Sequence, residues 1–194
     1  HTGVMNWGKI MANTAGRRAV LKSAAGLALG ASLPLEAAAA IPPGKPGEFD
    51  WLTGEWRIAH RQRKNGQWDE FPGEATCWSI LNGVGHVEEL RIPARDFSGM
   101  GLRLLDLKTR IWSDYWVNAK SGALGGAGLT GGFVKGEGIF DTRETVGGKQ
   151  IIHRGLWDRI VPGKSHRWQQ MASSDGGKSW EVSWAMDWMR APDA

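Results

Sequence analysis

Five polar side chains fall on segments that otherwise alternate apolar and polar residues, so they are candidates to face a protein interior. They are His60, Glu88, Tyr115, His153 and Gln170. A histidine held beside a glutamate or a tyrosine can act as a general acid or base. No pair is fixed by local spacing, and a single buried histidine is more often a satisfied core group. The fold must therefore decide which of these groups meet.

Two short segments resemble catalytic or phosphate-binding motifs, but the residues around them do not provide the structure that these motifs require. Residues 126–131 fit the G-x-G-x-x-G pattern, but they lead into an apparent strand at 133–135, whereas that motif needs a helix N-terminus to hold pyrophosphate. Residues 177–179 resemble the end of a phosphate-binding loop, but Ala172 stands where the first glycine is required. The sequence contains no H-E-x-x-H, paired C-x-x-C or G-x-S-x-G. It therefore predicts no metal site and gives no support for a zinc or serine hydrolase.

Tryptophan is unusually abundant, with twelve residues in the 194-residue chain. Indoles supply a large apolar area with one N–H donor, and most of them must form the core of a small domain. The remainder can line a pocket for a hydrophobic or aromatic ligand, with stacking on sugars as the competing use. We expect the ligand-binding residues to be His60, Glu88, Tyr115, Trp116, His153, Trp168 and Trp184.

The elements that must position these residues are short strands separated by glycine-containing turns, without a long helical period. The last segment is the clearest, because Trp180, Val182, Trp184, Met186 and Trp188 occupy alternate positions. Asn65 and Gly66 predict a type I′ hairpin turn. The pattern predicts nine strands, near 54–64, 71–82, 86–92, 100–108, 110–118, 132–141, 149–160, 165–173 and 179–190.

Strands with a single apolar face close most economically into a barrel, since closure removes exposed edges. We therefore predict an all-β fold, a single antiparallel up-and-down β-barrel of about 9–10 strands with very little helix. A sandwich is the alternative. The glycine-rich stretch at 119–132 is expected to be a flexible lid or a disordered flap over an opening.

The N-terminal region, residues 1–40, predicts an export signal. Arg17 and Arg18 precede an apolar run at 24–35 and the small residues 37–40, a pattern that resembles a twin-arginine signal. The run is shorter than the ~20 residues that a membrane-spanning helix needs, so we expect no stable membrane insertion. The resemblance implies recognition of Arg17 and Arg18 by the export machinery, and a periplasmic or secreted location.

The remainder of the chain predicts a linker at 41–48 and one domain at 49–194. Without residues 1–40, 20 basic and 19 acidic residues are left, so the net charge is close to zero and a nucleic-acid partner is not expected. Cys77 is the single cysteine, so no intramolecular disulfide is possible. We expect it to be a small buried core residue.

Two stretches resemble known β-protein motifs. Residues 173–180 match the Asp-box, the hairpin pattern Ser-x-Asp-x-Gly-x-Ser/Thr-Trp, and we expect a structural role for it. Gly54, Trp56 and Arg190 resemble the lipocalin and calycin pattern, which implies that Arg190 packs across Trp56 to close the barrel. With the stretches 49–56, 112–116 and 174–180, the chain is similar to a bacterial exported calycin-like family without assigned function, although it lacks the disulfide and two sequence blocks of true lipocalins.

Three function hypotheses follow. The first is a binding barrel for a small hydrophobic or aromatic molecule. The second is a barrel enzyme of hydratase, isomerase or cyclase type, with His60 or His153 acting beside Glu88 or Tyr115. The third is a haem-binding barrel with His153 or His166 as axial ligand, suggested by a resemblance to nitrobindin in size and strand pattern. A surface interaction module is the remaining alternative, and the sequence leaves the cofactor unknown.

Overall fold

The structure, a computed structural model, describes residues 42–192. The predicted signal at 1–40, with Arg17 and Arg18, lies outside the described residues. Residues 42–48 form no strand, and Gly44 packs against the barrel, where its N–H donates to the Arg110 carbonyl at 2.7 Å. Within residues 42–192 no helix combines the length and apolar character needed to cross a bilayer.

Ten antiparallel strands close into one up-and-down barrel, which confirms the predicted fold class. Strand accounts for 66% and helix for 6% of the described residues. Each strand pairs with its neighbours in sequence, and β1 closes the barrel by pairing with β10. The strands are β1 Gly54–Lys64, β2 Gln67–Ile80, β3 Gly85–Ile92, β4 Phe97–Asp106, β5 Ile111–Asn118, β6 Leu129–Val134, β7 Glu137–Val146, β8 Lys149–Val161, β9 Ser165–Ser173 and β10 Glu181–Arg190. Within the described residues, three short 3-10 turns lie at Asp50–Leu52, Leu81–Gly83 and Pro93–Arg95.

Turn residues explain where the strands end. Asn65 and Gly66 both take positive φ, 51° and 80°, as the predicted type I′ turn between β1 and β2 requires. The predicted single strand at 132–141 is wrong, because a second tight turn at Lys135 and Gly136 divides it into β6 and β7. Lysine rarely adopts positive φ, so only Gly136 signalled that turn in the sequence.

Aromatic side chains close one end of the barrel around the segment that precedes β1. Phe49 is buried there, in edge contact with Trp112 and Phe133 at ring-centroid distances of 5.0 Å. Trp56 is also buried, and its Nε1 donates to the Leu52 carbonyl at 2.7 Å, which fixes the 3-10 turn over the barrel end. A plugged end leaves the opposite end and the barrel wall as the routes of entry.

Arg190 lies over this plug, at the last residue of β10. Its Cζ is 5.5 Å from the Trp56 ring centroid, and its Nη1 donates to the Thr53 carbonyl at 2.6 Å. Gly54 adopts φ +126°, and a Cβ there would overlap the Arg190 guanidinium. The glycine of the Gly-x-Trp pattern is therefore needed twice, for its backbone conformation and for the space that the arginine occupies.

The Asp-box forms the hairpin between β9 and β10. The Asp175 carboxylate accepts from the Lys178 and Ser179 N–H groups at 3.0 Å and from the Ser179 hydroxyl at 2.6 Å. These bonds hold the pKa of Asp175 well below its usual range. Trp180 donates its indole N–H to the Gly177 carbonyl at 3.1 Å. All of these partners lie within the turn itself, in keeping with the structural role expected of the motif.

Candidate ligand-binding site

The interior of the barrel holds a cavity of about 650 Å³, counted to include its opening to solvent. Side chains from β3, β4, β5, β6, β8, β9 and β10 line it. The wall is mainly apolar and includes six aromatic residues, and three charged residues interrupt it. The aromatic residues are Tyr115, Trp116, Trp157, Trp168, Trp184 and Trp188, and the charged residues are Glu88, Arg103 and Asp114.

Strands β5 and β6 separate beside the cavity. Their pairing covers only Trp112–Asp114 against Leu129–Gly131. Beyond Asp114, the loop that connects β5 to β6 takes the place of β6 as the neighbour of β5. There the Gly125 N–H donates to the Trp116 carbonyl at 3.1 Å. Gly125 and Leu129 both line the cavity. The glycine-rich stretch at 119–132 thus contributes to the cavity wall, and its last residues form β6.

A buried charged cluster spans three neighbouring strands at the inner part of the cavity. Arg103 on β4 donates from Nη2 to Glu88 on β3 at 2.6 Å. Its Nε lies 3.4 Å from Asp114 Oδ1 on β5 but makes no hydrogen bond. The guanidinium carbon also lies 4.8 Å from the Trp157 ring centroid. One guanidinium therefore faces two carboxyl groups, and it is hydrogen-bonded to only one of them.

Asp114 is the carboxyl group of this cluster whose pKa is raised. Burial raises the pKa of its carboxyl to about 6; Arg103 lowers it, and Glu88 raises it further. From β6, the residue opposite Asp114 is Leu129, which carries no charge. The ionised carboxylate is thus incompletely compensated inside the barrel at neutral pH.

Asp114→Asn is expected to stabilise the free protein at pH 7 by about 1–3 kcal/mol. The physical reason is that the folded-state pKa exceeds the unfolded value, so the ionised aspartate costs stability above about pH 4, increasingly up to about pH 6. Thermal unfolding at pH 7.5 and pH 4 measures the effect, and the two proteins should converge at pH 4. Asp187→Asn is the control, because Asp187 is half-exposed at 3.8 Å from Arg61. An equal gain in the control would contradict the assignment.

His60 lies buried beside the cavity rather than in its lining. Its ring stacks on Phe71 at 4.8 Å, and its Nδ1 accepts the indole N–H of Trp184 at 3.2 Å. Burial lowers the pKa of His60 to about 4, so the neutral ring that this hydrogen bond requires is present at neutral pH. His60 consequently orients Trp184, which does line the cavity.

The other histidines also lie outside this cavity lining. His153 places its Nε2 3.1 Å from Glu144 of the neighbouring strand β7. His166 is buried among indoles, at 4.8 Å from the ring centroids of both Trp56 and Trp188, and burial lowers its pKa to about 3. His86 is buried at 5.9 Å from Phe49, and burial and Arg103 lower its pKa to about 3 as well. Among the described residues no group of three or more His, Cys, Asp or Glu side chains is placed to hold a metal ion.

Of the seven residues expected to bind ligand, the barrel brings five into one cavity. They are Glu88, Tyr115, Trp116, Trp168 and Trp184. Sequence reasoning missed Arg103 and Asp114, although Asp114 shares its strand parity with Trp112 and Trp116. That parity was the available signal, because alternate residues of a strand point to the same face.

The architecture is consistent with a calycin-like fold. Function must therefore be inferred from the cavity, its aromatic residues and its three charged residues. Neither a protein-family model nor a curated protein matches this chain.

Proposed function

We propose that this protein is an exported binding protein for a small hydrophobic or aromatic molecule. The observation that carries the proposal is the open cavity with five indoles in its wall. Ligand sites are typically concave and mostly apolar, with a few polar groups that fix orientation. Glu88, Arg103 and Asp114 supply such groups here, and their positions are set by three adjacent strands rather than by a loop.

The size of the cavity favours a compact ligand. Its empty space includes the mouth, so the enclosed part is smaller than the full 650 Å³. An aromatic molecule of one or two rings suits that space better than a long acyl chain. The proposed location is periplasmic or secreted, and it rests on Arg17, Arg18 and the apolar run that follows them.

Two other functions have weaker support. A hydratase, isomerase or cyclase that uses an interior histidine would need that histidine at the cavity, yet His60 is engaged with Trp184 and His153 is beside Glu144. The haem-binding barrel was expected to use His153 or His166 as axial ligand, and neither is among the residues that line this cavity. The binding proposal uses the residues that do line it.

Titration with compact aromatic probes that do not themselves emit, such as nitrobenzene and nitrotoluene, is expected to quench tryptophan emission saturably, because a ligand in this cavity must contact indoles. Gly155→Leu should weaken that binding at least about tenfold, since the added side chain would occupy the cavity near Trp168 and Leu129. The matched control is Thr130→Leu, which adds the same side chain at an exposed position of β6.

Fatty acids, retinoid-like molecules and haem complete the titration panel. A Soret shift with haem, combined with no quenching by the compact aromatics, would favour the haem-binding barrel instead. Equal binding by Gly155→Leu and the unaltered protein would show that the probes bind elsewhere, and the proposed site would be wrong.

A further inference from the structure

The charges that line the cavity do not balance. Glu88 and Asp114 contribute two carboxyl groups, and Arg103 contributes one guanidinium. When both carboxyl groups are ionised, the cavity wall therefore carries one excess negative charge. In a site walled by indoles that charge is poorly solvated, so a complementary group on a ligand would be favoured.

Arg103 also lines the cavity, but its guanidinium is largely enclosed by protein groups. Its side chain is only 4% exposed, and it donates to Glu88. Its Nε and Nη1 are buried without hydrogen-bond partners, while the guanidinium lies against the rings of Trp157 and Phe49, at 4.8 and 5.5 Å from their centroids. The positive charge is thus shared among the Glu88 carboxylate, the Asp114 carboxylate at 3.4 Å and two aromatic rings.

The two carboxylates, in contrast, have oxygens that accept no hydrogen bond from Arg103. Glu88 is nine-tenths buried and uses Oε2 for Arg103; within residues 42–192 its Oε1 accepts no hydrogen bond. Asp114 keeps 16% of its side chain exposed and has no hydrogen bond from Arg103. Both residues line the cavity. The free polar atoms that they present to a ligand are therefore acceptors.

The aromatic wall favours the same ligand charge. Trp116, Trp168 and Trp184 line the cavity with Tyr115. The faces of indole and phenol rings attract organic cations, and the attraction grows when the cation is removed from water. Aromatic rings and unpaired carboxylate oxygens in one cavity are both complementary to an ammonium group.

We propose that the ligand is an organic amine, with its ammonium group at Asp114 and Glu88 Oε1 and its compact apolar or aromatic body against the indoles. This inference rests on the proposed binding function and specifies the ligand class of the same cavity. An acid of the same shape would meet two carboxylates, and a neutral analogue such as an alcohol could donate to one of their oxygens but would leave their charge uncompensated. The amine alone pairs these oxygens and restores charge balance.

A charge series tests the proposal on the full-length protein at pH 7.5. The probes are 2-phenylethylamine, 2-phenylethanol and phenylacetate, which share a ring and differ in charge. We expect the amine to bind at least about tenfold more tightly than the alcohol, as a charge-assisted hydrogen bond to a buried carboxylate provides. The acid should bind most weakly. Calorimetry and tryptophan quenching give the affinities.

Asp114→Asn removes the charge while keeping the shape of the side chain. It should lower amine affinity about tenfold and change alcohol affinity less than about threefold. Asp187→Asn, which alters an outward carboxylate near Arg61, should change neither. Near-ultraviolet circular dichroism of each variant establishes that the aromatic core is intact.

The outcomes separate this inference from the proposed function. Tightest binding of phenylacetate, or equal binding of amine and alcohol, would overturn the amine assignment and leave the binding function standing. The same holds if Asp114→Asn retains the preference for the amine. If none of the three compounds nor any aromatic probe binds, both proposals fail.

Discussion

Replacing Trp56 with alanine is expected to lower the free energy of unfolding by about 3–5 kcal/mol, the cost of deleting a buried aromatic side chain. Trp56 is 1% exposed and packs in edge contact against Trp188, at 6.1 Å between ring centroids. The substitution also removes the indole N–H that donates to the Leu52 carbonyl. Denaturant unfolding measures the change. The slope m, the dependence of the unfolding free energy on denaturant concentration, should stay the same, which would show that the folded and unfolded states keep their compactness.

Trp68→Ala is the matched control, because Trp68 is an indole of the same first hairpin that remains 40% exposed. It lies under Arg63, whose Cζ is 4.5 Å from its ring centroid, at the surface. We expect its loss to cost about 1 kcal/mol or less. Equal losses for Trp56→Ala and Trp68→Ala would contradict the role of Trp56 in the barrel plug.

The contact between Trp56 and Arg190 is tested by a double-mutant cycle. Arg190→Ala alone removes the hydrogen bond to the Thr53 carbonyl and the contact with the indole face. Because the two side chains touch, their changes should be non-additive by about 0.5–3 kcal/mol. Strict additivity would show that the arginine does not hold the tryptophan, and the calycin-type closure would lose its energetic basis.

Alternation within strands was sufficient to predict much of the barrel. Trp184, Met186 and Trp188 share one parity on β10, and all three are buried. The division of β6 from β7 was missed because Lys135, a residue with no preference for positive φ, occupies the first position of that turn. Local pattern therefore predicted the faces of strands more reliably than their number.

The candidate site was predictable only in part. Its aromatic wall follows from indoles placed at inward positions, as Trp116 and Trp168 illustrate. The position of His60 behind Trp184 depends on the pairing of β1 with β10, and nothing local in either strand determines that register. The Arg103 cluster depends on the mutual register of β3, β4 and β5, which places Arg103 directly opposite Asp114. A charged residue in mid-strand is more often exposed than buried, so residue type alone does not distinguish Arg103 from a surface arginine.

Arg103→Met is expected to destabilise the protein by about 3–5 kcal/mol at pH 7, because it leaves Glu88 buried without its partner. Asp114 would also lose the only cation that lies within 4 Å of it among the described residues. Without the guanidinium, which lowers the pKa of Asp114, burial should hold that pKa still further above its unfolded value of about 4. Groups shifted in that direction cost stability once they ionise, so the deficit should shrink as the pH falls from 7 towards 4.

Urea unfolding of the variant at pH 7.5 and pH 4.5 measures both the size and the pH dependence of this effect. Arg154→Met is the control: Arg154 forms a bidentate pair with Asp141 at 2.8 and 2.9 Å, but at a partly exposed position on β8. Its loss should cost about 1 kcal/mol or less. The double variant Arg103→Met with Glu88→Gln should recover part of the stability, since it removes the unpaired charge. Two results would contradict this account. One is a loss of unfolding free energy for Arg103→Met no larger than that for Arg154→Met, and the other is a loss that grows at low pH. Either would show that Arg103 does not stabilise the buried carboxylates. The excess negative charge that favours an amine would then have no structural basis.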